Sequence, residues 1–376
     1  MKKEKNDIKR LLCIVGGMNA GGAETFLMKV YRALDKTKYQ MDFYVSVKEE
    51  CIYDKEIIEK GGIIFHSVPK SKNPIKSFCN LLRTVKKHNY QYVMRVSQHS
   101  LSALDLLAAK LGGAQKLIYR SSNSQTCGRK VNRIMHKLFK WLSIMVPNVK
   151  IAPSTEAAEF MFGKNCVKNG KAKIIKNAIP VEKFAFNQAK RDRIRMSLGI
   201  ENKFVIGHVG RFNNQKNHSF LLDIFSEVYK KNKDSVLLLV GNGELEKDIN
   251  KKVKLLGLED KVIFTGVRSD VSDIMMAMDI FVFPSLFEGM PNTVIEAQAT
   301  GLPCIVSDKI TKEAKLIDII KYKSLNDKAS EWANVILDDI RIERESMKKY
   351  LVDKGYEIES VTRELEKLIF KYENIN

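Results

Sequence analysis

The feature that most constrains this chain is an alternation of short apolar runs with helical patterns, and it occurs twice. In the first half, runs at 9–15, 41–47, 62–68, 92–97, 115–120, 150–152 and 172–176 read as strands. Helical periodicity near 23–34, 53–60, 75–88, 101–111, 130–145 and 154–161 separates them. The pattern restarts with strands expected at 204–209, 235–240, 261–265, 279–284 and 303–306. Helices are expected there near 217–231, 245–256, 270–277 and 291–299. Such alternation calls for a mostly parallel sheet covered by helices on both faces. The expected class is therefore α/β, with two doubly wound units at 1–180 and 181–354. Residues 177–195 read as a linker, and the helical, charged tail from Lys328, ending in a helix at about 355–376, is expected to pack back. At 376 residues the chain exceeds one ordinary core, which agrees with two domains. Ligands of such sheets bind outside the carboxyl ends of the strands, and two units facing each other would enclose a cleft.

Composition narrows the class. A hydrophobic share of 44% with 29% charged residues describes a water-soluble globular chain. No run reaches the roughly 18 apolar residues of a membrane span. The start, MKKEKNDIKRLLCIVGG, imitates a signal peptide, but its apolar part is short and a glycine-rich turn follows, so it reads as a first strand of a cytoplasmic protein. The six cysteines are dispersed without paired spacing, which argues against a metal site. The net charge of +20 calls for an anionic partner. It is unevenly spread: from Leu106 to Thr155 there is no acid, against nine Lys and Arg.

The chemistry concentrates in the second half. Residues 281–308, FVFPSLFEGMPNTVIEAQATGLPCIVSD, read as strand, loop, helix, turn and strand. Pro291 suits a first helical turn, where a missing N–H costs nothing, and Gly301 suits the end. Glu288 precedes this helix and Glu296 lies inside it. Met290, Asn292 and Thr293 fall at its N-terminus, a place that favours anions and polar ligands. Gly210-Arg-Phe-Asn-Asn-Gln-Lys-Asn217 leaves the first strand of the second unit. Its two cations, Arg211 and Lys216, can converge on one diphosphate, or can form a plain solvated turn. Gly241-Asn242-Gly243-Glu244 and Thr265-Gly266-Val267 end the next two strands, on the same sheet edge as Glu288. Carboxylates such as Glu288 and Glu296 accept pairs of sugar hydroxyls. A negative charge also favours a developing oxocarbenium ion. In the first half, Gly16-Gly-Met-Asn-Ala-Gly21-Gly22-Ala-Glu24 opens a helix after the first strand. It lacks the dinucleotide spacing, and reads either as a ligand-approaching loop or as a tight turn.

Together these pieces resemble the retaining glycosyltransferases of GT-B fold that carry a Glu-x7-Glu signature (glycosyltransferase family 4), most closely bacterial enzymes of exopolysaccharide, capsule and O-antigen assembly. The matching pieces, in family order, are GGAE at 21–24, GRFNNQKN at 210–217, VGNGE at 240–244, FTG at 264–266 and PSLFEGMPNTVIEAQATGLPCI at 284–305. The resemblance implies two Rossmann-like domains facing across a cleft. Arg211 and Lys216 would hold the donor diphosphate, Glu296 the ribose, and Glu288 the donor sugar together with Gly289, Met290, Pro291, Asn292 and Thr293. Asn242, Gly243, Glu244, Thr265, Gly266 and Val267 would border the base, and Gly21 and Gly22 would line the cleft. It implies a metal-independent reaction, no cofactor beyond a nucleotide-sugar co-substrate (UDP expected over GDP), and front-face attack that retains configuration. The implied acceptor is a lipid-linked oligosaccharide. Relatives often carry histidines after the fourth and fifth strands. Here those regions read Arg95-Val-Ser-Gln-His99 and Tyr119-Arg-Ser-Ser-Asn123, so His99, Arg120 and Asn123 are the acceptor candidates, with a plain loop histidine as the alternative for His99.

Residues 129–145, RKVNRIMHKLFKWLSIM, place Val131, Ile134, Met135, Leu138, Leu142 and Met145 on one helical face and Arg129, Lys130, Arg133, His136, Lys137 and Lys140 on others. This is either a covering helix with a solvated basic face or a docking surface for the anionic inner face of a membrane, which a lipid-linked acceptor would call for. Nucleic-acid binding is disfavoured, because the aromatics do not interleave with the basic runs as stacking platforms would. A catalytically inactive sugar-nucleotide-binding partner subunit is the remaining alternative. The presence of Arg211, Lys216, Glu288 and Glu296 together argues against it.

Overall fold

The computed structural model describes residues 8–19, 21–123, 130–338 and 344–371. The chain divides into two compact units, Met1–Ala178 with Tyr356–Asn376, and Ile179–Gly355. In the first, β1 (Lys9–Val15), β2 (Tyr39–Val45), β3 (Ile64–His66), β4 (Tyr92–Ser97), β5 (Lys116–Ser121), β6 (Val149–Ala152) and β7 (Lys173–Ile174) form one parallel sheet in the order β3-β2-β1-β4-β5-β6-β7. Alternation of side chains splits its core between the two faces. Leu11, Cys13 and Val15 pack on one side, and Leu12 and Ile14 on the other. The covering helices are α1 (Gly22–Ala33), α2 (Asp54–Glu59), α3 (Pro74–Lys87), α4 (Ala103–Leu111), α5 (Lys130–Leu138), α6 (Lys140–Met145) and α7 (Thr155–Phe162). Buried Asp42 is held by Arg10 (Nε to Oδ2, 2.6 Å), by the Tyr90 hydroxyl (2.7 Å) and by the Ile63 amide (2.7 Å), so its charge is fully engaged.

The second unit opens with α8 (Val181–Phe184) and α9 (Gln188–Leu198), where the sequence suggested a linker. The reason for the miss is physical. Of the apolar residues of α9 only Ile194 is buried, and Met196 is 70% exposed, so apolar periodicity is faint. The helix is fixed instead by an Asn187 cap, by Gly199 in the left-handed region, and by Arg191 and Arg195 pairing with Asp279. Then come β8 (Phe204–Val209), α10 (His218–Lys231), β9 (Ser235–Val240), α11 (Glu246–Leu255), β10 (Val262–Phe264), α12 (Val271–Ala277), β11 (Ile280–Phe283), α13 (Asn292–Ala299), β12 (Cys304–Ser307) and β13 (Ile320–Lys323). The sheet order is β10-β9-β8-β11-β12-β13, all parallel. β13 was not expected. Its Ile-Lys-Tyr-Lys sequence is that of a half-exposed edge rather than an apolar run.

The tail divides. α14 (Ala329–Asp338) packs on α10, and its Trp332 is fully buried. α15 (Lys348–Asp353) meets α8. α16 (Ile358–Phe370) packs against α1 in the first unit, where Phe370 stacks on Tyr39 at 4.3 Å. In the second unit Arg344 is a clasp. It donates to the carbonyls of Met276 and Met278 (both 2.8 Å) and of Thr300 (2.8 Å), which close α12 and α13. Burial lowers its pKa to about 9.

Candidate functional site

Both sheets reverse their order of winding once, and the crevice at such a reversal is where doubly wound folds bind ligands. In the second unit the reversal lies between β8 and β11. The loops leaving those two strands are Gly210–Asn217 and Pro284–Pro291, which carry Arg211, Lys216, Glu288, Gly289, Met290 and Pro291; the other candidates of that half lie on the loops after β9 and β10 and in α13.

Backbone hydrogen bonds stitch the strand-end loops together. Gly210 N donates to Val240 O (3.0 Å), Phe212 N to Asn242 O (2.8 Å), Leu245 N to Phe212 O (3.0 Å) and Gly241 N to Gly266 O (2.9 Å). Gly243 has to be glycine, since a Cβ there would lie 2.4 Å from Phe212 O. The cation loop is then bolted to the acidic loop. Leu286 N donates to Gln215 O (2.8 Å), Gln215 Nε2 to Phe287 O (2.9 Å) and Asn217 Nδ2 to Pro284 O (3.2 Å).

This frame sets Lys216 Nζ 2.7 Å from Glu288 Oε1, with both side chains mostly buried, and 4.4 Å from the centre of the Phe283 ring. The backbone of Glu288 forms a parallel bridge with Ile310. Arg211 has a different partner. Its Nε lies 3.4 Å from Glu244 Oε2, with both side chains more than half exposed. The structure thus brings Lys216 to Glu288 and Arg211 to Glu244, as one sheltered pair and one open pair.

Helix α13 begins one residue later than expected, with Pro291 as its cap and Val294 and Ile295 bonding back to Pro291 O. Met290, Asn292 and Glu296 are buried and each is engaged within the protein. The Thr293 hydroxyl is buried and has no hydrogen-bond partner among the described residues. Gly289 lies in the turn before this cap. Thr265 Oγ1 bonds Leu239 O (3.3 Å), Gly266 is left-handed, and Val267 is exposed.

Two side chains here were missed from the sequence. His208, in β8, and His218, the first residue of α10, are both buried, with rings edge-to-face at 4.7 Å. Their only sequence signal was position: they flank the cation loop on either side. Burial, aided by His218 and Lys216, pushes His208 far below the usual imidazole range. Burial and Lys216 push His218 down to about 4.

In the first unit the reversal lies between β1 and β4. Gly21 caps α1 and Gly22 begins it. The acceptor candidates each have partners within the protein. His99 caps its own turn, with Nδ1 accepting from Leu101 N (3.2 Å) and Nε2 donating to Asn132 O (2.9 Å). Arg120 is 1% exposed, lies 3.8 Å over the Phe26 ring and donates to Asn177 Oδ1 (2.5 Å); burial lowers its pKa to about 9. Asn123 is buried, with Nδ2 3.5 Å from Gln98 Oε1.

The basic segment also differs from its expected helix. It breaks at Phe139 into α5 and α6. Leu142 turns inward, whereas Ile134, Leu138, Trp141 and Met145 stay 55–75% exposed beside exposed Arg133 and Lys137. His136, expected on the basic face, is buried. Ser100 N donates to its Nδ1 (3.2 Å), its Nε2 donates to Phe160 O (3.3 Å), and its ring stacks on Phe160 at 4.3 Å. The side chains of Arg129, Lys130 and Val131 lie outside the described residues. No helix among the described residues is long and apolar enough to cross a membrane.

Comparison with known proteins agrees with this architecture. Residues 203–337 match the family described as glycosyl transferases group 1. The chain is 33% identical to a protein named glycosyltransferase EpsF of Bacillus subtilis (strain 168) over 358 residues, 93% of each chain. It is 33% identical over 241 residues, 62% of each chain, to the UDP-Gal:alpha-D-GlcNAc-diphosphoundecaprenol alpha-1,3-galactosyltransferase of Escherichia coli. Among solved structures, HepE of Anabaena in complex with UDP-glucose superposes with a TM-score of 0.72 at 18% identity, covering 96% of this chain and 95% of that one. The fold is therefore that of the GT-B class.

Proposed function

The chain belongs to the group 1 glycosyl transferases, and we propose that it moves a hexose from a UDP-sugar, with retention, onto a lipid-linked oligosaccharide in surface polysaccharide assembly. The observation that carries this reading is the Lys216–Glu288 pair at 2.7 Å, at the winding reversal of the second sheet. It sets a cation suited to a diphosphate against a carboxylate suited to sugar hydroxyls. We read 288–296 as the Glu-x7-Glu signature of glycosyltransferase family 4.

In this reading Lys216 and Arg211 take the donor diphosphate and stabilise it as it leaves, supplying the charge that a metal would otherwise bring. Lys216 has three N–H donors, so it can reach phosphate without abandoning Glu288. Glu288 then accepts from the donor sugar, while Glu296, sheltered in α13, accepts from the ribose. Asn242–Glu244 and Thr265–Val267 border the base. The acceptor hydroxyl attacks from the face the diphosphate leaves, and the departing phosphate takes its proton, so neither glutamate has to carry one. The lipid-linked acceptor is inferred from the name of the Escherichia coli relative. Its membrane would be met by the exposed apolar stripe of α5 and α6, flanked by Arg133 and Lys137, with the protein lying peripherally on the cytoplasmic face.

The test is a transfer assay with UDP-hexoses and a polyprenyl-diphosphate-linked sugar, with the anomeric configuration of the product read by NMR. An α-linked product from an α-linked donor is expected. An inverted product would sink the mechanism.

A further inference from the structure

Only one of the four ring nitrogens of His208 and His218 has a hydrogen-bond partner among the described residues. His208 Nδ1 lies 2.8 Å from Val282 O, so it carries the proton and leaves Nε2 as a bare lone pair. Both nitrogens of His218 are unpartnered. Both residues are fully buried, at 0% and 1% exposure. Buried polar groups without partners cost folding free energy, and a phenylalanine could occupy the same stacks without that cost. Positions that break the fold's own consistency in this way are expected at functional sites.

Their placement names the function they serve. The two residues bracket the cation loop, His208 at its base in β8 and His218 directly after Asn217. His218 packs edge-on to Phe212 of that loop at 4.6 Å, and His208 stacks on Phe283, whose ring also faces Lys216 Nζ. A Cβ on Gly210 would sit 3.2 Å from His208 Nε2 and 3.2 Å from Lys216 Cε, so only a glycine separates the bare lone pair from the lysine stem. Because the rings are neutral near pH 7, they add no charge that would repel Lys216 or compete for an anion.

We propose that His208 and His218 are positioning residues of the cation loop, supporting Gly210–Asn217 from beneath and giving their unspent ring nitrogens to it when Lys216 engages a nucleoside diphosphate. The inference rests on the donor assignment above. It predicts a cost paid in the ligand-free protein and recovered on binding.

The experiment compares H208F, H218F and H218Q with wild type, reading Tm and the Kd for UDP by calorimetry. The Phe variants keep or raise Tm and weaken UDP binding about 3- to 10-fold, the worth of one hydrogen bond. H218Q, neutral and able both to donate and to accept, returns the Kd towards wild type. An unchanged UDP Kd in both Phe variants overturns the proposal, and so does a marked fall in Tm in both, which would make the pair part of the packing. Wild-type protein that binds neither UDP nor GDP overturns the donor assignment itself, and this proposal with it.

Discussion

The carboxyl edges of the two sheets are built alike and used differently. In the second unit the strand-end loops are laced by backbone bonds, and their charged side chains are left to face one another: Lys216 with Glu288, Arg211 with Glu244. In the first unit the candidate polar residues are bonded to their own surroundings instead. His99 brackets a turn, Arg120 is sealed over Phe26, and Asn123 is tucked beside Gln98. What that unit exposes instead is a helix stripe, Ile134, Leu138, Trp141 and Met145. One edge holds two charge pairs, which we read as a site for a small charged ligand. The other unit offers an exposed apolar stripe.

The largest test of this contrast is Lys216→Ala, which should lower kcat/KM by a hundredfold or more, the scale seen when one group stabilising a transition-state charge is removed. Tm should be followed alongside, because Glu288 loses its sheltered partner. Arg120→Met is the matching change in the first unit. It should leave kcat/KM near wild type, since replacing a buried charge by an apolar side chain of similar volume is often neutral. If the two variants lost activity equally, the contrast would fail.

The next effect is in stability. The folded-state pKa of His218, about 4, lies below its ordinary 6.5. The unfolded chain therefore binds the extra proton first as pH falls. The stability tied to this group is fully present above pH 6.5 and is lost by about pH 4, worth about 3 kcal/mol. Urea unfolding of wild type and H218F at pH 7 and pH 4 should differ by about that amount in its pH dependence. Parallel curves would place His218 in a more open setting than the structure does.

A smaller effect belongs to the first unit's surface. Lys137→Ala should weaken binding to anionic vesicles by about 1 kcal/mol, roughly fivefold. Leu138→Glu should weaken it further, and neither change should alter UDP binding. Vesicle affinity indifferent to both would remove the docking surface from α5 and α6.

How much of this was legible follows from what each residue does. β1, β4, β8 and β9 were read to the residue, because strands covered on both faces are near-continuous apolar runs. The cation and acidic loops were legible as motifs whose spacing is bound to chemistry. α9 was not, since its hold on the fold is Arg191 and Arg195 on Asp279, a contact 84–88 residues away in sequence. The Arg344 clasp is hidden for the same reason, as carbonyls carry no sequence signal. His208 escaped because a histidine in an apolar strand reads as an ordinary core residue, and His218 because, between Asn217 and Ser219, it reads as an ordinary polar residue at a helix start. The inward turn of His136 and Leu142 follows from the break at Phe139, which helical periodicity alone does not show.

The central claim is that the β8–β11 reversal of the second unit is a nucleotide-sugar site organised by Lys216 and Glu288. Its most direct test is a thermal-shift panel of UDP- and GDP-sugars on wild type and Lys216→Ala. At a hundred times its Kd, a donor that fits should stabilise the wild type by about 2.7 kcal/mol, and the shift should vanish in the variant. A wild-type protein that ignores every nucleotide sugar, or a variant that responds as fully as the wild type, would contradict it.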